Sequence, residues 1–178
     1  MSPDSIKALV RSIPDFPRPG ILFRDVTTLI GHGAGFAASI EWLARGASER
    51  GAEAIVGIEA RGFIFGAPVA ASLGLPFVPV RKPGKLPGPK VSTEYALEYG
   101  TDRLELDPGA IPDGQRVVVI DDLLATGGTA GAAVRLVREA GGLVEHALFV
   151  IDLPDLGGAA HLVGYGIVSE ALVSFDGH

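Results

Sequence analysis

The chain has 178 residues, 47% of them hydrophobic, with a net charge of −6 and no cysteine. The acidic balance excludes the basic surface that broad nucleic-acid or anionic-membrane binding requires, and the missing cysteines exclude disulfides and thiolate metal sites. No run reaches the ~18 apolar residues of a membrane span, and MSPDSIKALV lacks the basic-then-apolar order of a secretory leader, so a single soluble cytoplasmic domain over 1–178 is expected.

Residues 13–30 carry Pro14, Pro17, Pro19 and Gly20 and stand apart from the rest as a small N-terminal cap. Phe36, Ile40, Leu43 and Ala47 recur at helical spacing, which predicts a helix over 36–50. AIVGI at 54–58 reads as a buried strand. GFIFGAPVAASLG at 62–74 reads as a buried helix ending at Gly74, and FVPV at 77–80 as a strand blemished by Pro79. Arg81, Lys82, Lys85 and Lys90 then cluster among Pro83, Gly84, Pro87, Gly88 and Pro89. Positive charge concentrated on a loop of an acidic protein points to a local polyanion. STEYALEY and RLELD, joined by Gly100-Thr101-Asp102, give a hairpin signal, so residues 82–106 are expected to form a flap. RVVVI at 116–120 predicts a strand, Gly127 to Glu139 a helix, and VEHALFVI at 144–151 a further strand. Continuous apolar strands alternating with helices define an α/β class, a doubly wound and mainly parallel sheet carrying the cap and the flap.

Ligands of such sheets bind beyond the carboxyl ends of the strands, and one strand end stands out. In VVVIDDLLATGGTA, residues 117–130, a strand runs through a Gly-rich turn into a helix. Free amides and the helix dipole favour phosphate there. No lysine follows Gly128 as a Walker A loop needs, and ATGGTAG lacks the GxGxxG spacing of a dinucleotide site. Asp121 and Asp122 would repel phosphate, so they must face another part of the ligand, such as vicinal sugar hydroxyls. A sugar phosphate satisfies both halves. Arg61, at the end of the 54–58 strand, suits a second anion. The four histidines show no metal-ligand spacing, so no protein-held metal is expected.

VVVIDDLLATGGTA resembles the signature of type I phosphoribosyltransferases, which bind 5-phosphoribosyl 1-diphosphate (PRPP). IPDFPRPGILFRDVTTL (13–29), EARGFIFGAPVA (59–70), VRKPGKLPG (80–88), STEYALEYG (92–100) and DLLATGGT (122–129) are similar to the adenine branch of that family, over residues 10 to about 155. The resemblance implies transfer of the phosphoribosyl group of PRPP to adenine, giving AMP and pyrophosphate, with Mg²⁺ carried by PRPP or pyrophosphate. Asp121 and Asp122 would hold the ribose, and Ala125, Thr126, Gly127, Gly128 and Thr129 its 5′-phosphate. Ala60, Arg61, Lys82 and Lys85 would meet the pyrophosphate, with a non-proline cis peptide at Glu59–Ala60. Glu98 is implied as a general acid/base and Tyr99 as its neighbour, with Arg61 also in the catalytic set. Leu22, Phe23, Arg24 and Leu153 would form the adenine pocket. A homodimer is also implied. Two alternatives stay open: a regulator that binds PRPP without catalysis, and a transferase for another purine.

Overall fold

The structure is a computed structural model that describes residues 1–96 and 101–177. In chain order the elements are α1 (Pro3–Lys7), β1 (Arg11–Pro14), β2 (Leu22–Asp25), α2 (Thr27–Ile30), α3 (Gly33–Glu49), β3 (Ala54–Ile58), α4 (Arg61–Leu73), β4 (Phe77–Val80), β5 (Val91–Ala96), β6 (Thr101–Leu106), β7 (Arg116–Leu124), α5 (Gly128–Glu139), β8 (Leu143–Asp152), α6 (Gly158–Val163) and β9 (Val168–Ser174). Five strands form a parallel sheet in the order β4-β3-β7-β8-β9. Pro79 lies on the edge strand β4, where a missing amide costs no ladder bond.

Strand alternation sorts the core into two layers. Val118 and Ile120 of β7 pack with Leu43 of α3 and Phe65 of α4. Val117 and Val119 pack with Val134 and Leu136 of α5. Helices therefore cover both faces, and β3 is buried along its whole length, which is why its sequence is uninterrupted apolar. From β3 the chain passes through α4 to β4 on one side, whereas from β7 it passes through α5 to β8 on the other. The neighbouring strands β3 and β7 thus diverge beyond their carboxyl ends, and a crevice opens at this switch point. No helix among the described residues is long and apolar enough to cross a membrane.

Several expectations are corrected in detail. The strand expected over 116–120 continues to Leu124, so Asp121 and Asp122 lie within it. Thr101 and Asp102, expected in the hairpin turn, are strand residues paired with Ala96 and Tyr95. β9 and the short helices α1 and α6 were not anticipated; VSEALVS mixes polar and apolar residues as an edge strand does.

The cap is a separate two-stranded antiparallel sheet, β1 with β2. Asp25 locks it. Its carboxylate accepts from the Thr27 amide (2.9 Å) and hydroxyl (2.7 Å) and from the Arg11 guanidinium (2.6 Å). The Thr27 and Arg11 hydrogen bonds hold the Asp25 carboxyl down to about 2 against an ordinary 3.8. A depressed carboxyl adds stability that is complete above its ordinary value and is lost as pH falls through the folded one. Asp25→Asn should therefore lower unfolding stability by about 2 kcal/mol at pH 7. Urea unfolding should show that deficit shrinking between pH 4 and pH 2; a deficit independent of pH would contradict this role.

Candidate active site

At the β3 end, Glu59 and Ala60 are joined by a cis peptide, as the family resemblance implied, and α4 starts at Arg61. The Arg61 Nε donates to Asp122 Oδ2 at 2.5 Å, linking the β3–α4 junction to β7. The pair is asymmetric: the Asp122 side chain is 5% exposed and that of Arg61 49%. Burial acts to lower the Arg61 pKa, but the charge and hydrogen bond of Asp122 outweigh it and raise it. Gly62 allows this approach. A Cβ there would meet Asp121 Oδ1 at 2.9 Å and the Ile120 carbonyl at 3.0 Å, so a side chain would push α4 off the strand.

The two aspartates are not equivalent. Asp122 is paired with Arg61, whereas burial first and the neighbouring Asp122 charge second push the Asp121 carboxyl well above the usual carboxylate range. The amide of Asp122 donates to Asp121 Oδ1 (2.9 Å), which works in the opposite direction.

Beyond β7 the chain turns at Gly127, with φ +82°, and enters α5 at Gly128. A Cβ on Gly127 would also meet the Gly158 carbonyl at 2.8 Å, so the turn is seated against the start of α6. The first amides of α5 have no partner within the helix and carry its positive end. A cavity of about 310 Å³ opens here, lined by Glu59, Ala60, Arg61, Lys82 and residues 121–130. It is lined by two cations, Arg61 and Lys82, three carboxyls, Glu59, Asp121 and Asp122, and an anion-binding turn, a donor and acceptor set that suits a sugar phosphate.

The basic loop divides. Lys82 reaches the cavity, whereas Lys85 is exposed and lies outside its lining. Lys90 donates to the Leu86 carbonyl at 2.7 Å on the surface. The loop is held by acids that sequence reading passed over. Glu59 accepts from the Lys82 amide (2.8 Å) and from Arg81 Nε (3.2 Å), and the Lys82 amide bond leads the causes that lower its pKa. Glu105, 3% exposed, accepts from the Gly84 amide (3.1 Å) and faces Arg103 (3.4 Å), while its backbone exchanges two 2.8 Å bonds with Arg81. A charged residue between Leu104 and Leu106 on a strand beside a cationic loop was the available signal.

The residues expected around a base are spread more widely. Phe23 is partly buried; its ring packs edge-on against Phe16 at 5.1 Å, and the Arg61 guanidinium sits 5.9 Å from its centroid. Phe23 therefore borders the crevice from the cap side, through Arg61. The Arg24 side chain is structural: it donates to Ser12 Oγ (2.5 Å) and the Asp176 carbonyl (2.8 Å) and lies 4.5 Å from the Phe175 ring centroid, tying the cap to the chain's last residues. Leu153 is a core residue, its amide bonded to the Leu124 carbonyl at 3.0 Å. None of these four lines the cavity at the strand ends. Glu98 and Tyr99 lie outside the described residues. Of the histidines, His32 caps α3 by accepting from the Gly35 amide (3.0 Å), and His161 packs edge-on against Tyr165 at 5.4 Å.

The family model for the phosphoribosyl transferase domain matches residues 30–155. The adenine phosphoribosyltransferase of Novosphingobium aromaticivorans is 64% identical over 178 residues, covering 100% of both chains. The crystal structure of adenine phosphoribosyltransferase from Thermoanaerobacter pseudethanolicus superposes with a TM-score of 0.93 at 48% identity, covering 98% of this chain and 100% of that one. The Saccharomyces cerevisiae enzyme, solved with an imino-altritol bisphosphate and adenine, gives 0.90 at 36% identity, covering 96% and 98%. These likenesses run the length of the chain and include the strand ends that build the cavity. The chain belongs to the adenine phosphoribosyltransferase family.

Proposed function

We propose that this chain transfers the 5-phosphoribosyl group of PRPP to adenine, releasing pyrophosphate and forming AMP, in the cavity between the β3 and β7 ends. The observation that carries the reading is the convergence of Arg61, Lys82, Asp121, Asp122 and the turn at 125–129 on one cavity. The yeast relative, held with adenine and a sugar-like bisphosphate, supports the same pairing of ligands here.

The roles follow from the chemistry of each group. The amides of Ala125 to Thr129 take the 5′-phosphate, whose charge suits the positive end of α5. Asp121 and Asp122 take the ribose hydroxyls. Their carboxylate oxygens can accept from the vicinal hydroxyls of a ribose. Arg61, the Ala60 amide, Lys82 and, from the surface, Lys85 meet the diphosphate. Arg61 offers five donors, of which Asp122 uses one, leaving the rest for phosphate oxygens.

Among the described residues no three His, Asp or Glu side chains converge as a metal cage, and the acids at the cavity offer hard oxygen donors. Mg²⁺, which takes few protein ligands, would enter on PRPP, neutralise the diphosphate and leave with pyrophosphate. Adenine N9 attacks the anomeric carbon as the C–O bond to pyrophosphate breaks. The developing oxocarbenium requires positioning and exclusion of water more than covalent help. Glu98 and Tyr99 on the flap supply the proton-handling group and its neighbour, and Leu22, Phe23, Arg24 and Leu153 the base pocket, with Phe23 offering a flat apolar face. A cytoplasmic homodimer completes the reading.

A panel of adenine, guanine, hypoxanthine, xanthine, uracil and orotate, each with PRPP and Mg²⁺, tests the function. Pyrophosphate release is expected with adenine alone; none with adenine, or an equal rate with guanine, would overturn it. Glu98→Ala should lower kcat about a hundredfold, the range of a lost general acid or base, with little change in the KM for PRPP. An unchanged kcat would remove Glu98 from the mechanism.

A further inference from the structure

Lys82 is held in an unexpected way. Its ammonium donates to Asp102 Oδ2 in a very short contact and to the Tyr95 hydroxyl at 3.3 Å, and that hydroxyl in turn donates to Asp102 Oδ2 at 3.1 Å. Tyr95 and Asp102 face each other across β5 and β6, so the seat is built by one rung of the flap. Tyr95 is 6% exposed and packed in the core layer beneath α5, which fixes its hydroxyl. Glu59 and Glu105 clamp the backbone of the same loop from either side. Lys82 is nevertheless among the residues that line the cavity.

An ammonium has three donors. Asp102 and Tyr95 take two and leave one over for an anion. Burial acts to lower the Lys82 pKa, and the bonds to Asp102 and Tyr95 outweigh it and raise it. On Asp102 the balance mirrors this: burial raises and Lys82 lowers, with a net lowering. Both partners therefore favour the charged pair. A lysine left free would sample many rotamers and lose them on meeting an anion.

We propose that Asp102 and Tyr95 are positioning residues for PRPP: they seat the Lys82 ammonium in advance, so that the diphosphate meets a preorganised cation and its binding is tied to the flap rung next to the Ala96–Thr101 pair. The inference rests on the cavity binding PRPP but not on adenine being the acceptor. PRPP binding with Mg²⁺ and no base, measured by titration calorimetry, therefore tests it apart from the reaction.

Asp102→Ala should weaken PRPP about fivefold, the effect of one partly exposed charge-assisted contact. Tyr95→Phe, which keeps the buried ring, should weaken it about twofold. In a Lys82→Ala background, Asp102→Ala should have no further effect, since it acts through that lysine. In turnover the loss should appear in the KM for PRPP, with the KM for adenine unchanged and Asp102→Glu restoring part of it. Unchanged or tighter PRPP binding in Asp102→Ala would overturn the proposal. So would an equal loss in both backgrounds, which would mark Asp102 as merely structural. If wild type binds PRPP but releases no pyrophosphate with adenine, the function fails while this inference stands.

Discussion

The ion pair between Arg61 and Asp122 spans the point where the sheet's two directions of winding part. Asp122 is a buried carboxylate in the central strand, and burying a charge is costly unless a partner and hydrogen bonds compensate. Arg61 supplies that partner from the first residue of α4. Its position needs Glu59 and Ala60 to turn the chain out of β3, and Gly62 to let the helix lie against the Asp121 backbone. One electrostatic requirement of β7 thus sets the local geometry of the β3 end. The same residues, still half open to solvent on the Arg61 side, form a wall of the cavity. Fold and site share a single contact here.

Around that contact four acids sit on strands, where the ladder fixes their direction: Asp121 and Asp122 on β7, Glu105 and Asp102 on β6, with Glu59 just beyond the end of β3. Arg61 stands at the α4 start and Lys82 on the loop after β4. The anion-binding turn is held from behind by α6, through the close approach of Gly127 to Gly158. A net charge of −6 coexists with an anion site because the backbone amides and a few placed cations, rather than bulk charge, supply the local field.

Much of this was legible in the sequence, for physical reasons that differ by element. AIVGI and VVVI are strands because both faces are buried, so the apolar run is unbroken. DDLLATGGT is readable because strand, turn and helix start are contiguous and the chemistry of each residue type is local. The remainder depends on contacts distant in the chain. Arg24 was expected in the adenine pocket, and nothing local announced that its side chain meets the Asp176 carbonyl, 152 positions away. Glu105 and Asp102 are two acids among many until the hairpin register places them beside residues 81–84. Lys85 and Lys82 share one motif, and only the path of the loop sends one to the cavity and the other to solvent. β9 escaped notice because an edge strand alternates weakly.

The central claim is that Arg61 and Asp122 act as one unit across the switch point. A double-mutant cycle of Arg61→Ala and Asp122→Ala, followed by urea unfolding of all four proteins at pH 7, tests it most directly. The account predicts a coupling of about 1 kcal/mol, the double variant being less destabilised than the two single changes summed, as for a pair with one buried and one half-exposed member. Strictly additive effects would contradict it.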